Sequence, residues 1–199
     1  MALVAVTSSC ADRTSVDAAS RDRPYSTSEL EGFVLRPDEG PPGTRFVEGG
    51  SGPLSVEQMW PSSCCPAQQE AFDDAAYRAG YGALFVRPGH SGEPIDTRPG
   101  FEVVNSEAAL FVTEEGATEA MGVWVDYHEA SELDALPAEG LGEDAAAFVG
   151  SPNAPAETVV LFFWRKGRLV LFLRATGGTG TVRVEEVRGW AGRMDRRAS

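Results

Sequence analysis

The chain has 199 residues, of which 42% are hydrophobic and 24% charged, and this is enough to bury a full core in one domain. The formal net charge of −13 and the isoelectric point of about 4.6 argue against a nucleic-acid partner and against binding to anionic membrane surfaces. No stretch approaches the ~18 continuous apolar residues of a membrane-spanning helix.

Residues 1–10 form a short apolar run, followed by small residues and a cysteine. This segment resembles the end of a bacterial lipoprotein signal peptide, although Thr7 stands where that pattern prefers leucine. The resemblance implies a lipid on Cys10, attachment to the cell membrane through that lipid alone, and a location outside the cytoplasm. The alternative is an unstructured N-terminus with an incidental cysteine.

Residues 11–28 are small, polar or charged and show no periodicity. Such a segment buries too little apolar surface to offset the entropy lost on ordering, so it predicts a flexible tether. The alternative is the disordered tail of a cytosolic protein. A single folded domain is expected over residues 29–197.

The first part of that domain contains short elements. Residues 33–35 and 44–48 are predicted to be strands, separated by a turn region rich in proline and glycine. Ser55 is expected to cap a brief helix that runs to Trp60.

Longer elements follow. Pro66 and Gly80 mark the start and stop of an alanine-rich amphipathic helix, and residues 81–87 then read as a strand. After a loop that contains His90, residues 101–112 have strand character, with an interruption predicted at residues 105–106.

A second amphipathic helix is predicted to begin after Thr113, a good N-cap residue, and to carry His128 near its end. Residues 145–149 are a predicted short strand. A final helix is expected to bury Val184, Val187, Ala191 and Met194, with Trp190 beside them.

The strongest signal is the apolar hairpin at residues 158–175, which turns at Lys166 and Gly167. Glycine supplies the positive φ that a tight hairpin turn needs. Both faces of both strands are apolar, which predicts a central position in a sheet that is covered on both sides. The fold expected is α+β, with a mostly antiparallel sheet and about three amphipathic helices packed on it.

The last third of the chain has a recognisable arrangement. Its features are Leu136-Pro137, the segment 140–145, the hairpin end Phe163 to Arg168 and the closing helix. It resembles uncharacterised lipoproteins and extracytoplasmic sensor-like modules of high-GC Gram-positive bacteria. The resemblance implies a secreted, anchored α+β domain and rests on structural rather than catalytic motifs.

Cysteine and histidine give few candidates for chemistry. Adjacent Cys64 and Cys65 could form a strained disulfide, remain as two thiols, or bridge to Cys10 if lipidation fails. His90 could act as a base, but no nucleophile or orienting acid can be assigned to it, and His128 is more simply explained as a residue near the core. No metal spacing or cofactor motif occurs, so neither is expected.

Two groups of residues are candidate binding features. Trp124, Trp164 and Trp190 either pack in the core or line a pocket between helices and sheet. The basic hairpin end comprises Arg165, Lys166 and Arg168. It either balances the acidic remainder of the domain or offers a contact surface.

Two classes of function follow. The favoured one is a non-enzymatic binding or sensor domain for a small apolar ligand or another envelope protein, because no acid–base–nucleophile set can be assembled. The alternative is an extracytoplasmic hydrolase that uses His90.

Overall fold

The computed structural model describes residues 25–89, 100–131, 133–151 and 156–199. These residues form one α+β domain, as predicted. Five helices are present in the described part of the chain: α1 (Leu30–Phe33), α2 (Val56–Met59), α3 (Pro66–Asp74), α4 (Glu114–Glu129) and α5 (Val184–Arg197). Short 3-10 turns lie at Thr27–Glu29, Pro37–Glu39 and Glu48–Gly50.

The sheet is antiparallel throughout its described strands. They run in the order β1-β3-β4-β8-β7-β6-β5, and β2 also pairs with β3. Their bounds are β1 (Arg45–Phe46), β2 (Gly52–Leu54), β3 (Tyr77–Val86), β4 (Phe101–Phe111), β5 (Asp134–Leu136), β6 (Glu143–Gly150), β7 (Glu157–Lys166) and β8 (Leu169–Gly178).

The predicted hairpin is confirmed as the pair β7 and β8 in the middle of this sheet. Lys166 pairs with Leu169, so the turn residues are Gly167 and Arg168, one position later than predicted. Gly167 has a φ of 55°, and a positive φ at the first turn position is what glycine provides.

The two faces of the hairpin belong to two separate cores. Val160, Phe162 and Trp164 lie in the core formed with α1 and α5, whereas Val159, Leu161 and Phe163 lie in the core formed with α2, α3 and α4. The predicted buried face of α5 is also confirmed, with Val184 partly buried beside the fully packed residues Val187, Trp190, Ala191 and Met194. The sheet is therefore covered on both sides by helices.

The predicted strand at residues 33–35 is wrong. Phe33 ends α1, Val34 after it is extended, and neither Val34 nor Leu35 belongs to a strand. The Leu35 amide donates instead to the Ser106 hydroxyl at 3.0 Å, and the Val34 carbonyl accepts from the Arg197 guanidinium at 2.8 Å. Side chains from distant elements thus satisfy the backbone groups that a neighbouring strand would have satisfied.

The helix predicted to stop at Gly80 ends earlier. α3 stops at Asp74, and Ala76 adopts a φ of 56°, which reverses the chain so that β3 can begin at Tyr77. The Val112 amide donates to the Ala76 carbonyl at 3.0 Å and holds this reversal in place. Strand pairing of the next residues therefore overrides the helical tendency of the alanine-rich segment.

The predicted interruption of the strand 101–112 is also wrong, because β4 continues through Asn105 and Ser106. Both polar side chains have partners: Ser106 accepts from Leu35, and the Asn105 amide donates to Glu107. Of the predicted strand 44–48, only Arg45 and Phe46 pair, as β1. β5 was not predicted.

The caps of two helices are confirmed. Ser55 accepts from the Gln58 amide at the start of α2. Thr113 accepts from the Gly116 amide at 3.0 Å at the start of α4. At the N-terminal end, Tyr25 donates to the Ala198 carbonyl at 2.8 Å, so packing begins before residue 29. The domain bounds proposed from sequence otherwise stay a prediction.

Candidate functional site

A cleft of about 900 Å³ lies on the side of the sheet that carries α1. We call it the α1 cleft. Its walls are the α1 segment on one side and β1 and β3 on the other. The lining includes apolar and aromatic side chains, namely Phe33, Val34, Leu35, Phe46, Tyr81 and Ala83. A concavity of this size and character can hold a small organic molecule.

The polar lining of the α1 cleft is mainly acidic. Four carboxylate residues contribute to it, against the two arginines Arg36 and Arg197: Glu29, Glu31, Asp38 and Glu48. Arg197 is already paired with Glu39 at 2.7 Å. The pKa of Tyr81 is raised by burial and by the adjacent Glu31 carboxylate. The cleft therefore offers an apolar floor with a negative rim.

A smaller concavity of about 380 Å³ lies on the opposite side of the sheet. We call it the Arg174 pocket. The end of α4, the residues Ser131 and Leu133, and the strands β7 and β8 form its walls. Its lining residues are Tyr127, His128, Ser131, Leu133, Val159, Leu161 and Arg174.

His128 lies against aromatic rings in this pocket. Its ring is 5.1 Å from that of Phe163 and 5.1 Å from that of Tyr127, measured between centroids. Burial, together with the nearby charge of Arg174, lowers the pKa of His128 to about 4. The imidazole is therefore neutral at physiological pH and has one N–H to donate and one nitrogen to accept. This agrees with the prediction of a residue near the core.

Glu107 is the second unusual titratable group on this face of the sheet. It lies on β4, two residues after Asn105 and on the same face of the sheet. Asn105 pairs with Arg174 on the neighbouring strand β8. Burial raises the pKa of Glu107 to about 7, although the Asn105 hydrogen bond and the charge of Arg174 act in the opposite direction. The carboxyl group thus changes its charge near neutral pH.

The structure does not bring the three predicted pocket tryptophans together. Trp124 packs on α4 in one core, at 5.0 Å from Phe72 between ring centroids. Trp164 and Trp190 lie in the other core, on the opposite side of the sheet. All three are buried, and none lines the α1 cleft or the Arg174 pocket. Core packing is therefore what these residues do here.

The basic hairpin end is largely engaged within the domain. Arg165 pairs with Glu143 at 2.7 Å and Asp144 at 2.9 Å, and Lys166 pairs with Asp195 at 3.1 Å. Arg168 donates to the Val112 carbonyl. These contacts fit the interpretation in which the basic residues balance acidic ones, and a role as a contact surface stays a prediction.

Cys64 and Cys65 are free thiols in the structure, the first exposed and the second buried. A hydrogen bond with Cys64 and burial raise the pKa of the Cys65 thiol, so it is a protonated and weak nucleophile at neutral pH. Their pairing stays a prediction. Cys10 and His90 lie outside the described residues.

Two kinds of feature are absent from the part of the chain that the structure describes. It contains no group of three or more His, Cys, Asp or Glu side chains that could hold a metal ion. None of its helices has the length and apolar character needed to cross a lipid bilayer.

Sequence reasoning missed both concavities. The α1 cleft depends on where residues 28–38 fold back, which no local pattern shows. Arg174 did leave a signal, because it is the single charge within the apolar run of β8. A charged residue at a position that faces a core predicts either a buried partner or a binding site.

No protein-family model and no curated protein sequence matches the chain. A solved structure does match: the extracellular domain of PknH from Mycobacterium tuberculosis, with a TM-score of 0.56 and 12% sequence identity. The match covers 88% of this chain and 98% of that domain. At this identity the likeness shows a shared fold across nearly the whole chain.

Proposed function

We propose that the chain is a non-enzymatic, sensor-type binding domain that works outside the cytoplasm. The α1 cleft carries the proposal, because it presents an apolar floor large enough for a small organic ligand. The fold shared with the extracellular domain of PknH supports a location outside the cytoplasm. A small, mainly apolar ligand suits this floor, and the acidic rim favours one that carries no negative charge.

Gly32 offers a direct way to block the cleft. It lines the cleft in α1, it is exposed, and a Cβ atom added there would meet no atom within 4 Å. The substitution Gly32→Gln therefore places a polar side chain in the cleft without a steric clash. We expect the neutral apolar dye Nile red to bind the wild-type chain saturably, and the variant to bind it at least about fivefold more weakly. Fluorescence titration measures both affinities.

Gly122→Gln is the matched control. Gly122 is an exposed glycine on α4 that also has open space around its Cβ position, and it lies away from the cleft. The control should bind Nile red like the wild type. Equal affinities for the wild type and Gly32→Gln, or an equal loss in Gly122→Gln, would show that the cleft is not the site.

A lipid on Cys10 is proposed as the anchor, as the N-terminal segment resembles a lipoprotein signal. Cells grown with a palmitate analogue should label the wild-type chain, whereas Cys10→Ala should remain unlabelled. Cys64→Ala removes an exposed thiol within the fold and should keep the label. Equal labelling of the wild type and Cys10→Ala, or an unlabelled wild type, would rule out the anchor.

A further inference from the structure

Arg174 occupies an unusual position for a charged residue. Its strand, β8, lies between β4 and β7 in the middle of the sheet, and its neighbours across the strands are Asn105 and Leu161. The side chain projects on the face that carries α4 and lines the Arg174 pocket. The side chain is half-buried, and a charged partner on this largely apolar face would stabilise its guanidinium.

The described residues supply no such partner in direct contact. None of them forms a salt bridge or a hydrogen bond with Arg174, although every other described arginine of the same β7–β8 hairpin makes one. Glu107 interacts electrostatically with Arg174 but lies outside salt-bridge distance. Its carboxyl group accepts a hydrogen bond from the side-chain amide of Asn105 instead. The guanidinium therefore keeps its paired N–H donors available toward the pocket.

The rest of the pocket is suited to a small amphipathic molecule. Leu133, Val159 and Leu161 provide an apolar wall, and neutral His128 and the Ser131 hydroxyl provide polar atoms beside it. A volume of about 380 Å³ is near the lower end of the range for ligand pockets, roughly 300–1,000 Å³. One cation beside an uncharged imidazole balances a single negative charge.

We propose that the Arg174 pocket binds a small organic monocarboxylate, whose carboxylate pairs with Arg174 and whose apolar part contacts Leu133, Val159 and Leu161. The fork of the guanidinium matches a carboxylate in a bidentate manner. A phosphate dianion is less well suited, since the described lining residues of the pocket provide one positive charge for two negative ones. The site is distinct from the α1 cleft, which lies on the opposite side of the sheet and has an acidic rim.

Glu107 is expected to regulate this binding through pH. Around it and Arg174 lie Tyr77 on β3, Tyr127 and His128 on α4, and the Cys65 thiol beside Tyr127. The pKa values of both tyrosines and of Cys65 are raised, and that of His128 is lowered, so none of these groups changes charge between pH 6 and pH 8. Glu107, with a pKa of about 7, becomes negative on passing from pH 6 to pH 8. It then opposes a bound anion and partly neutralises Arg174, so affinity should fall.

Isothermal titration of the full chain with acetate, hexanoate and benzoate tests the proposal, with benzamide as the uncharged match to benzoate. At pH 6, benzoate or hexanoate should bind, and benzamide should bind at least about tenfold more weakly. Arg174→Gln should weaken carboxylate binding at least about tenfold. Arg45→Gln removes an exposed arginine on β1 and should leave the affinity unchanged. Inorganic phosphate should bind more weakly than benzoate.

Glu107→Gln provides a second variant with an effect in the opposite direction. Its amide can still accept the Asn105 hydrogen bond but cannot ionise. At pH 8 it should bind benzoate more tightly than the wild type, and it should lose the decrease between pH 6 and pH 8. The proposal fails if none of the three carboxylates binds at millimolar concentration, or if benzamide binds as well as benzoate. It also fails if the Arg45 and Arg174 variants behave alike, or if Glu107→Gln has no effect at pH 8.

Discussion

Replacing Gly116 by alanine is expected to lower the free energy of unfolding by about 3 kcal/mol. Gly116 lies buried in the first turn of α4, where its amide donates to Thr113. A Cβ atom at this position would overlap the main-chain carbonyl oxygen of Ala75, just after the end of α3. Because the obstacle is backbone, it cannot rotate away, and the two helices would have to move apart.

Gly122→Ala in the same helix separates this steric effect from helix propensity. Gly122 is exposed, and an added Cβ would meet no atom within 4 Å. Alanine is a better helix former than glycine, so the free energy of unfolding of this control should rise by about 0.5–1 kcal/mol. Urea unfolding followed by circular dichroism measures both variants. Equal stabilities would show that α3 and α4 do not pack as closely as described.

Trp164→Ala is expected to lower the free energy of unfolding by about 3–5 kcal/mol. Trp164 has 0% exposure and is the largest of the fully buried side chains among the described residues. It lies on β7, two strands from β4 in the sheet, and faces the core that contains α1 and α5. Truncation would leave a large cavity at the sheet centre, where the surrounding strands have little freedom to collapse.

Trp164→Phe is the informative companion variant. It keeps most of the buried apolar volume, and it removes an indole N–H that has no hydrogen-bond partner among the described residues. Removing an unsatisfied donor offsets part of the lost packing, so the free energy of unfolding is expected to fall by about 1 kcal/mol. If alanine and phenylalanine destabilise the protein equally in urea unfolding, cavity formation is not the cause.

Prediction from sequence worked best where one pattern determines one element. The hairpin of β7 and β8 alternates apolar residues on both faces, and only a central, doubly covered strand pair satisfies that pattern. The caps at Ser55 and Thr113 were equally predictable, because a capping side chain acts within three residues of its position.

Prediction failed where partners come from distant parts of the chain. Residues 33–35 have the composition of a strand, but their main-chain groups bond to side chains far along the chain. The Leu35 amide donates to Ser106, 71 residues away, and the Val34 carbonyl accepts from Arg197, 163 residues away. The alanine-rich segment after Asp74 favours a helix, and the pairing of Tyr77 with Phe111 decides otherwise. Neither contact can be predicted from the local preferences of the residues involved.

The binding features were harder to predict than the fold. Tryptophans were candidates for a pocket because of their type, yet the alternation along β7 places Trp164 on the side of the sheet opposite Trp124. Arg174 was overlooked, although the same alternation places it on the face of Val170 and Phe172. Applying the two-residue period to charged as well as apolar positions would have identified it.

The outer strands also limit how another protein chain can attach. At one edge of the sheet, β1 and β2 cover β3 with strands of two and three residues. At the other edge, β5 covers only part of β6, and the uncovered part carries an irregularity in which Asp144 has a φ of 49°. Short or bulged edges offer a poor template for strand addition. The domain is thus protected against edge-to-edge association, and a protein partner is expected to bind its helices or loops.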